Sequence, residues 1–199
     1  RNFINKIWNA FRFIHPFLNL ATPNLPSANK LSHHEKWIIS ELNSITKEIN
    51  DSMEEFRFDH TSNTIYQFVY EKFCSWFIEL SKSILHGDNQ VEKIQRATVL
   101  KWCFRRILAL LHPLCPFITE ELWTHLKTPT ESLLIIHDYP EYAIEFDYPE
   151  DREQMNQFVE TVTIIRNLRM SVNLSPKELL DVFLFIDDPR MLLVAMVGV

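Results

Sequence analysis

Arg1, Asn2, Asn5, Lys6, Asn9 and Arg12 punctuate the opening stretch RNFINKIWNAFRFI. At about 100° per residue they fall in one helical arc roughly 140° wide. Phe3, Ile4, Ile7, Ala10, Phe11 and Ile14 occupy the opposite side. Trp8 lies at the edge of that apolar side and is expected to join the core. The polar arc holds three amides and three cations and no carboxylate. Ordinary solvated helix faces mix Glu with Lys, because such pairs stabilise the helix. A face of amides and bases suits a polyanion instead. Asparagine can hydrogen-bond in bidentate fashion to the edge of an unstacked base, while Lys and Arg neutralise phosphates. Phe13 projects into the same arc, where it can offer a ring for a base to stack on or pack beneath the following loop. The competing reading is a solvated face that merely lacks acids.

No other constellation points to chemistry. The eight histidines are scattered, and the adjacent His33 and His34 lie about 100° apart on a helix. No HExxH, GxSxG or Cys-x-x-Cys pattern occurs. Cys74, Cys103 and Cys115 have no metal-ligand spacing and read as buried thiols in a reducing cytoplasm. Glu120 and Glu121 open a short helix, where acids favour the macrodipole. His112, before Pro113, reads as a helix-end cap. With only Gly87 and Gly198 in the chain, a glycine-rich phosphate loop is excluded. The expectation is therefore no catalytic residue, no metal site and no cofactor held by this chain.

The net charge of −6 argues against nucleic-acid binding only until its distribution is followed. Residues 1–30, 93–106 and 161–177 carry bases and no acid, whereas acids crowd 131–160. An acidic protein with local acid-free faces can bind RNA at those faces. Arg166 and Arg169 join the candidate set on this basis. Arg96, Arg105 and Arg106 sit among apolar residues of one helix, where some are expected to pair with acids of the protein. No apolar run is long enough to span a membrane.

These residues need helices to position them. The 46% apolar content and the shortage of glycine favour long helices with few loops. The first helix meets Pro16 and gives way to the loop at 21–30. Ser32 and Glu35 form a capping box for a long helix carrying Ile38, Leu42, Ile45, Ile49, Met53 and Phe56. Asp59 or Thr61 caps a third helix with a broad apolar stripe, Ile65 to Ile84, closed by a glycine stop at Gly87. A fourth runs from about Asn89 to His112, and Thr119–Trp123 reads as a short one. From Thr128 the texture changes. Residues 132–137, SLLIIH, read as a strand, 139–149 as an acidic connector, 151–171 as a helix and 180–186 as β-like. The fold class is mainly α: an up-and-down helical bundle over 1–127, followed by a small α/β appendage over 128–199. The first helix lacks a cap before Arg1 and the last element looks cut short, so the chain reads as a piece of a longer polypeptide.

RNFINKIWNAFRF at 1–13, RFDHTSNTIYQFVYEKFCSWFIELSK at 57–82 and RATVLKWCFRRILALLHPLCPFITEELW at 96–123 together resemble the region after the catalytic domain of valyl-tRNA synthetases. These are class I aminoacyl-tRNA synthetases of the valine, isoleucine and leucine subgroup. HPLCPFITEELW resembles an element of the whole subgroup, while the opening and the RFD…FCSWFIELSK run are more particular to the valine enzymes. The likeness continues through IIRNLRMSVNLSPK at 164–177. It departs at His15-Pro16, where relatives run on in apolar residues, and at Ser171, where the pattern has Glu, which puts an ion pair there in doubt.

The resemblance implies an anticodon-binding bundle whose first helix lies against the tRNA stem-loop. It implies valine tRNA and the catalytic domain of the same chain as partners, in a monomer. ATP with magnesium would belong to that catalytic domain, upstream. The expected tRNA-binding residues are Arg1, Asn2, Asn5, Lys6, Asn9, Arg12, Phe13, Arg166 and Arg169. Two alternatives stand beside it: the equivalent domain of a leucyl or isoleucyl enzyme, and a helical module that docks an acidic protein.

Overall fold

The computed structural model describes residues 2–173. Seven α-helices carry the fold among them: α1 (Asn2–Ile14), α2 (His33–Glu54), α3 (Phe58–Gln67), α4 (Ile78–His86), α5 (Gln90–Leu111), α6 (Pro116–Thr124) and α7 (Pro149–Ser171). A π-helical stretch, Phe68–Phe77, joins α3 to α4. The chain divides into two compact units after Asp147.

α5 is the core of the first unit. Val99, Leu100, Cys103, Phe104, Ile107 and Leu108 lie wholly buried on it. Its Phe104 ring stacks on Phe73 at 6.1 Å and on Phe11 of α1 at 6.3 Å. Burying each such side chain contributes about 1.5–3 kcal/mol. α2 adds Trp37, Ile38, Ile39, Leu42 and Ile49, all fully buried. Its expected capping box is present: Ser32 Oγ accepts from the Glu35 N–H, and Glu35 Oε2 from the Ser32 N–H at 2.9 Å.

Arg96 crosses this core at 1% exposure. Its Nε donates to Glu35 Oε1 at 3.1 Å, Nη1 to Ser81 Oγ and Nη2 to Ser32 Oγ. The capping glutamate of α2 thus also neutralises the buried cation of α5.

α2 and α3 meet at a tight reversal that the sequence hid. The N–H of Arg57 returns to the Ser52 carbonyl at 2.8 Å and that of Phe56 to Met53 at 3.1 Å. This is the two-bond Schellman closure, which places its middle residue in the left-handed region. Phe56 occupies it, at φ 58°. α3 therefore starts at Phe58 with Arg57 before it and no side-chain cap, so neither Asp59 nor Thr61 caps it. The backbone stays helical through both ends of the π stretch. There Ile78 bonds back five residues to Phe73, and Ser75 Oγ donates to the Tyr70 carbonyl, also five back. α4 ends at His86 as expected. Gly87 is extended there, at φ −68° and ψ −174°, so the stop does not use glycine's left-handed freedom.

The expected strand at 132–137 is absent. Leu134–Ile136 forms one 3-10 turn, and no strand occurs among the described residues. The reason is where the backbone groups go. Both oxygens of Glu120 accept from the N–H groups of Leu134 and Ile135, at 2.9 and 3.2 Å. Trp123 Nε1 donates to the Ser132 carbonyl. With side chains satisfying these groups, no neighbouring strand is needed. Farther along, Asn43 of α2 grips Ala143 at both its N–H and its carbonyl, and Asn50 Nδ2 donates to the Pro140 carbonyl. Residues 128–147 are thus a strap tied across the bundle, and the expected boundary at 127/128 falls instead after Asp147. The β-like segment at 180–186 lies outside the described residues, and the described part of the second unit is α7, which starts at Pro149 rather than Asp151.

Candidate nucleic-acid interface

α1 positions the candidate residues by burying its other side. Ile7, Ala10, Phe11 and Ile14 are buried against the bundle. This turns Asn2, Asn5, Asn9 and Arg12 outward, and all four are exposed. None of their side chains makes a hydrogen bond or ion pair within the described residues. Their donors and acceptors are therefore available to a ligand. Lys6 is half-buried, with its ammonium over the Tyr70 ring at 4.5 Å from the centroid. That contact orients the cation without neutralising it. Arg1 lies outside the described residues.

Phe13 is half-buried and tilts against Phe17 in the 3-10 turn His15–Leu20, at 5.9 Å. It packs on the start of the following loop and keeps part of its ring at the surface. Trp8 is not core: it is 40% exposed, tilted against Phe11 at 6.0 Å. The helix turns only its central stripe inward, and position 8 lies beyond that stripe.

Tyr66 and Tyr70 join this face without having stood out in the sequence. They stack at 5.6 Å with ring planes 18° apart, beside Phe3 and Lys6 of α1. The available signal was an i, i+4 aromatic pair lying outside the apolar stripe of its own helix.

The second basic cluster is built differently. Arg96 belongs to the core pair with Glu35. Arg105 donates through both terminal nitrogens to Glu131 and lies over the Trp123 ring at 4.2 Å. Arg106 lies over Trp102 at 4.9 Å and donates to the Glu141 carbonyl at 2.6 Å. These three arginines hold the strap and the core. Trp102, Arg105, Arg106, Trp123, His137 and Tyr139 line a groove of about 630 Å³ between α5 and the strap. Arg166 and Arg169 stand one turn apart near the end of α7, in the second unit. Ser171 donates to the Leu168 carbonyl at 2.8 Å.

Among the described residues, no three His, Cys, Asp or Glu side chains gather as a metal-ligand set. Burial pushes the Cys74 thiol up to about 11 and raises that of Cys103 further, so neither is a nucleophile near neutrality. Cys115 is only half-buried, unlike the other two. His112 is the C-cap residue of α5, as expected, and its Nδ1 also pairs with Thr119 Oγ1 at 2.8 Å, linking the end of α5 to α6. Glu120 is the strap clasp described above. No described helix is long and apolar enough to cross a membrane.

The described residues form a mainly helical bundle that presents an amide-and-cation face on α1. Residues 35–184 match the family model described as the anticodon-binding domain of tRNA ligase, and the chain belongs to that family. Its relatives narrow the kind. The valine–tRNA ligase of Lactiplantibacillus plantarum is 36% identical over 193 residues, covering 96% of this chain and 21% of that protein. Those of Lactobacillus johnsonii and Geobacter sulfurreducens are each 37% identical, over 191 and 180 residues. The chain spans about a fifth of the length of these curated relatives.

Proposed function

We propose that this chain is the tRNA-recognising part of a valine–tRNA ligase working in the cytoplasm, with α1 as the face that meets the anticodon stem-loop. The observation that carries the reading is the polar arc of α1, whose Asn2, Asn5, Asn9 and Arg12 side chains have no partner within the described protein. Structural amides are normally hydrogen-bonded, as Asn43 and Asn50 are here. Three exposed, unpartnered amides beside cations fit an RNA loop, whose splayed bases present their edges. The arginines and lysine hold the backbone, and the amides read bases. Joining valine to the tRNA with ATP and magnesium is assigned to a catalytic domain of the same protein, outside these residues. The names of the relatives favour valine over leucine or isoleucine tRNA.

The test is binding of valine tRNA and of the same tRNA with a substituted anticodon to the 199-residue chain. The expected result is clear preference for the native anticodon. Equal affinity for both would favour the rival reading of a basic face that docks any polyanion. The chain alone is expected to show no valine-dependent pyrophosphate–ATP exchange.

A further inference from the structure

Tyr66 lies in the last turn of α3, and Tyr70 follows four residues later in the π-helical stretch. Core aromatics of this protein, such as Phe73 and Phe104, are fully buried, yet Tyr66 is 44% and Tyr70 40% exposed. Neither phenol hydroxyl bonds to another described residue. The rings are nevertheless held. Phe3 tilts against Tyr66 at 5.0 Å, Lys6 sits over Tyr70, and the two rings stack on each other. The stacked pair therefore keeps part of each aromatic residue at the surface in a fixed position.

Its location gives it a use. The pairings Phe3–Tyr66 and Lys6–Tyr70 bring α1 against the end of α3 and the π-helical stretch that follows it. On the helical wheel Lys6 borders the polar arc next to Phe13 and Asn2. The tyrosines therefore continue the amide face across the helix–helix seam. Planarity, exposure and an adjacent cation match the chemistry of an unpaired nucleotide, with its base on the ring and its phosphate toward the ammonium.

We propose that Tyr66 and Tyr70 are a stacking platform for one unpaired base of the tRNA loop, holding it while the α1 amides read the bases beside it. This rests on the RNA reading of α1 and adds a second element to the interface.

The test is a coupling cycle in the 199-residue chain. Tyr66→Leu/Tyr70→Leu keeps apolar packing but removes both planes, and Tyr66→Phe/Tyr70→Phe keeps the planes. Each is measured against the valine anticodon stem-loop and against versions lacking one loop base at a time. The Leu variant is expected to bind the intact loop about tenfold more weakly or worse, and the Phe variant to bind it nearly normally. Removing the stacked base should weaken the native chain by a similar factor and the Leu variant hardly at all. A folded Leu variant, by its melting curve, with undiminished affinity would overturn the platform, as would losses that multiply independently at every loop position. Failure of the native chain to bind any stem-loop would overturn the RNA reading and the platform with it. Binding by the native chain with no Tyr effect removes the platform alone.

Discussion

Asn5 and Asn9 lie one turn apart on the exposed face of α1, each with an amide that no described protein group engages. A structural asparagine should lower stability when truncated, and a base-reading one should lower discrimination. Here the lack of partners separates the two. Asn5→Ala and Asn9→Ala should leave the melting temperature close to that of the parent. Each should narrow the affinity gap between valine tRNA and an anticodon-swapped tRNA. By analogy with DNA readout, the narrowing is about 1–3 kcal/mol for every bidentate base pairing that is removed. A preserved gap with a lowered melting temperature would assign them to the fold. Lys6→Ala should instead weaken both RNAs alike and flatten the salt dependence. The polar arc was legible because it needs only the helical period. Tyr66 and Tyr70 were not, because their meaning comes from Phe3 and Lys6, which lie far away in sequence.

At the scale of elements, legibility followed how local the determinants were. The Ser32–Glu35 capping box is confined to one helical turn and was readable outright. The strand reading at 132–137 failed because it rested on the short apolar run at 133–136 and missed Glu120, whose carboxylate takes the two N–H groups a ladder would have used. The Phe56 reversal was hidden because Phe is not the residue expected at a left-handed position. Such backbone costs a non-glycine residue about 1–2 kcal/mol, and Phe56 is 80% exposed, with little packing to lose. Phe56→Gly should therefore stabilise the chain by up to about 1 kcal/mol, after the greater freedom glycine gives the unfolded chain. A lower denaturation midpoint would show that the ring's contact with Phe58 matters more than the strain.

The strap offers a second test at this scale. The Arg105 guanidinium holds the Glu131 carboxyl down to about 2, from an ordinary 4.5. The unfolded chain takes up that proton near pH 4.5 and the folded chain only near pH 2. The stabilisation is therefore complete above about pH 4.5 and is lost as pH falls toward 2. Arg105→Gln should lower the melting temperature at neutral pH, and its deficit relative to the parent should shrink at about pH 3. A deficit that is the same at both values would mean that Arg105 acts through Trp123 and the Leu126 carbonyl rather than through its charge.

For the whole molecule, the question is how a chain of net charge −6 engages a polyanion. The structure sorts its bases into two populations. Arg96, Arg105 and Arg106 are consumed internally, by Glu35, Glu131 and the Glu141 carbonyl. Lys6 and Arg12 of α1 have no carboxylate within ion-pair reach among the described residues. An acid-free stretch of sequence is therefore not the same as a basic surface, since acids distant in sequence can neutralise it. Neutralising Arg1, Lys6 and Arg12 together should weaken tRNA binding and flatten its dependence on salt. With three phosphates no longer neutralised, the slope of log affinity against log salt should fall by about 2, at roughly 0.7 per phosphate on single strands. Arg105→Gln with Arg106→Gln should loosen the strap, lower the melting temperature and leave that slope nearly unchanged. Arg96 is left in place in this comparison, because removing it strands Glu35 in the core at a cost of about 3–5 kcal/mol. Slopes measured from low to moderate salt on both variants decide the matter. Equal flattening by the two sets would move the RNA-binding face from α1 toward α5 and the strap.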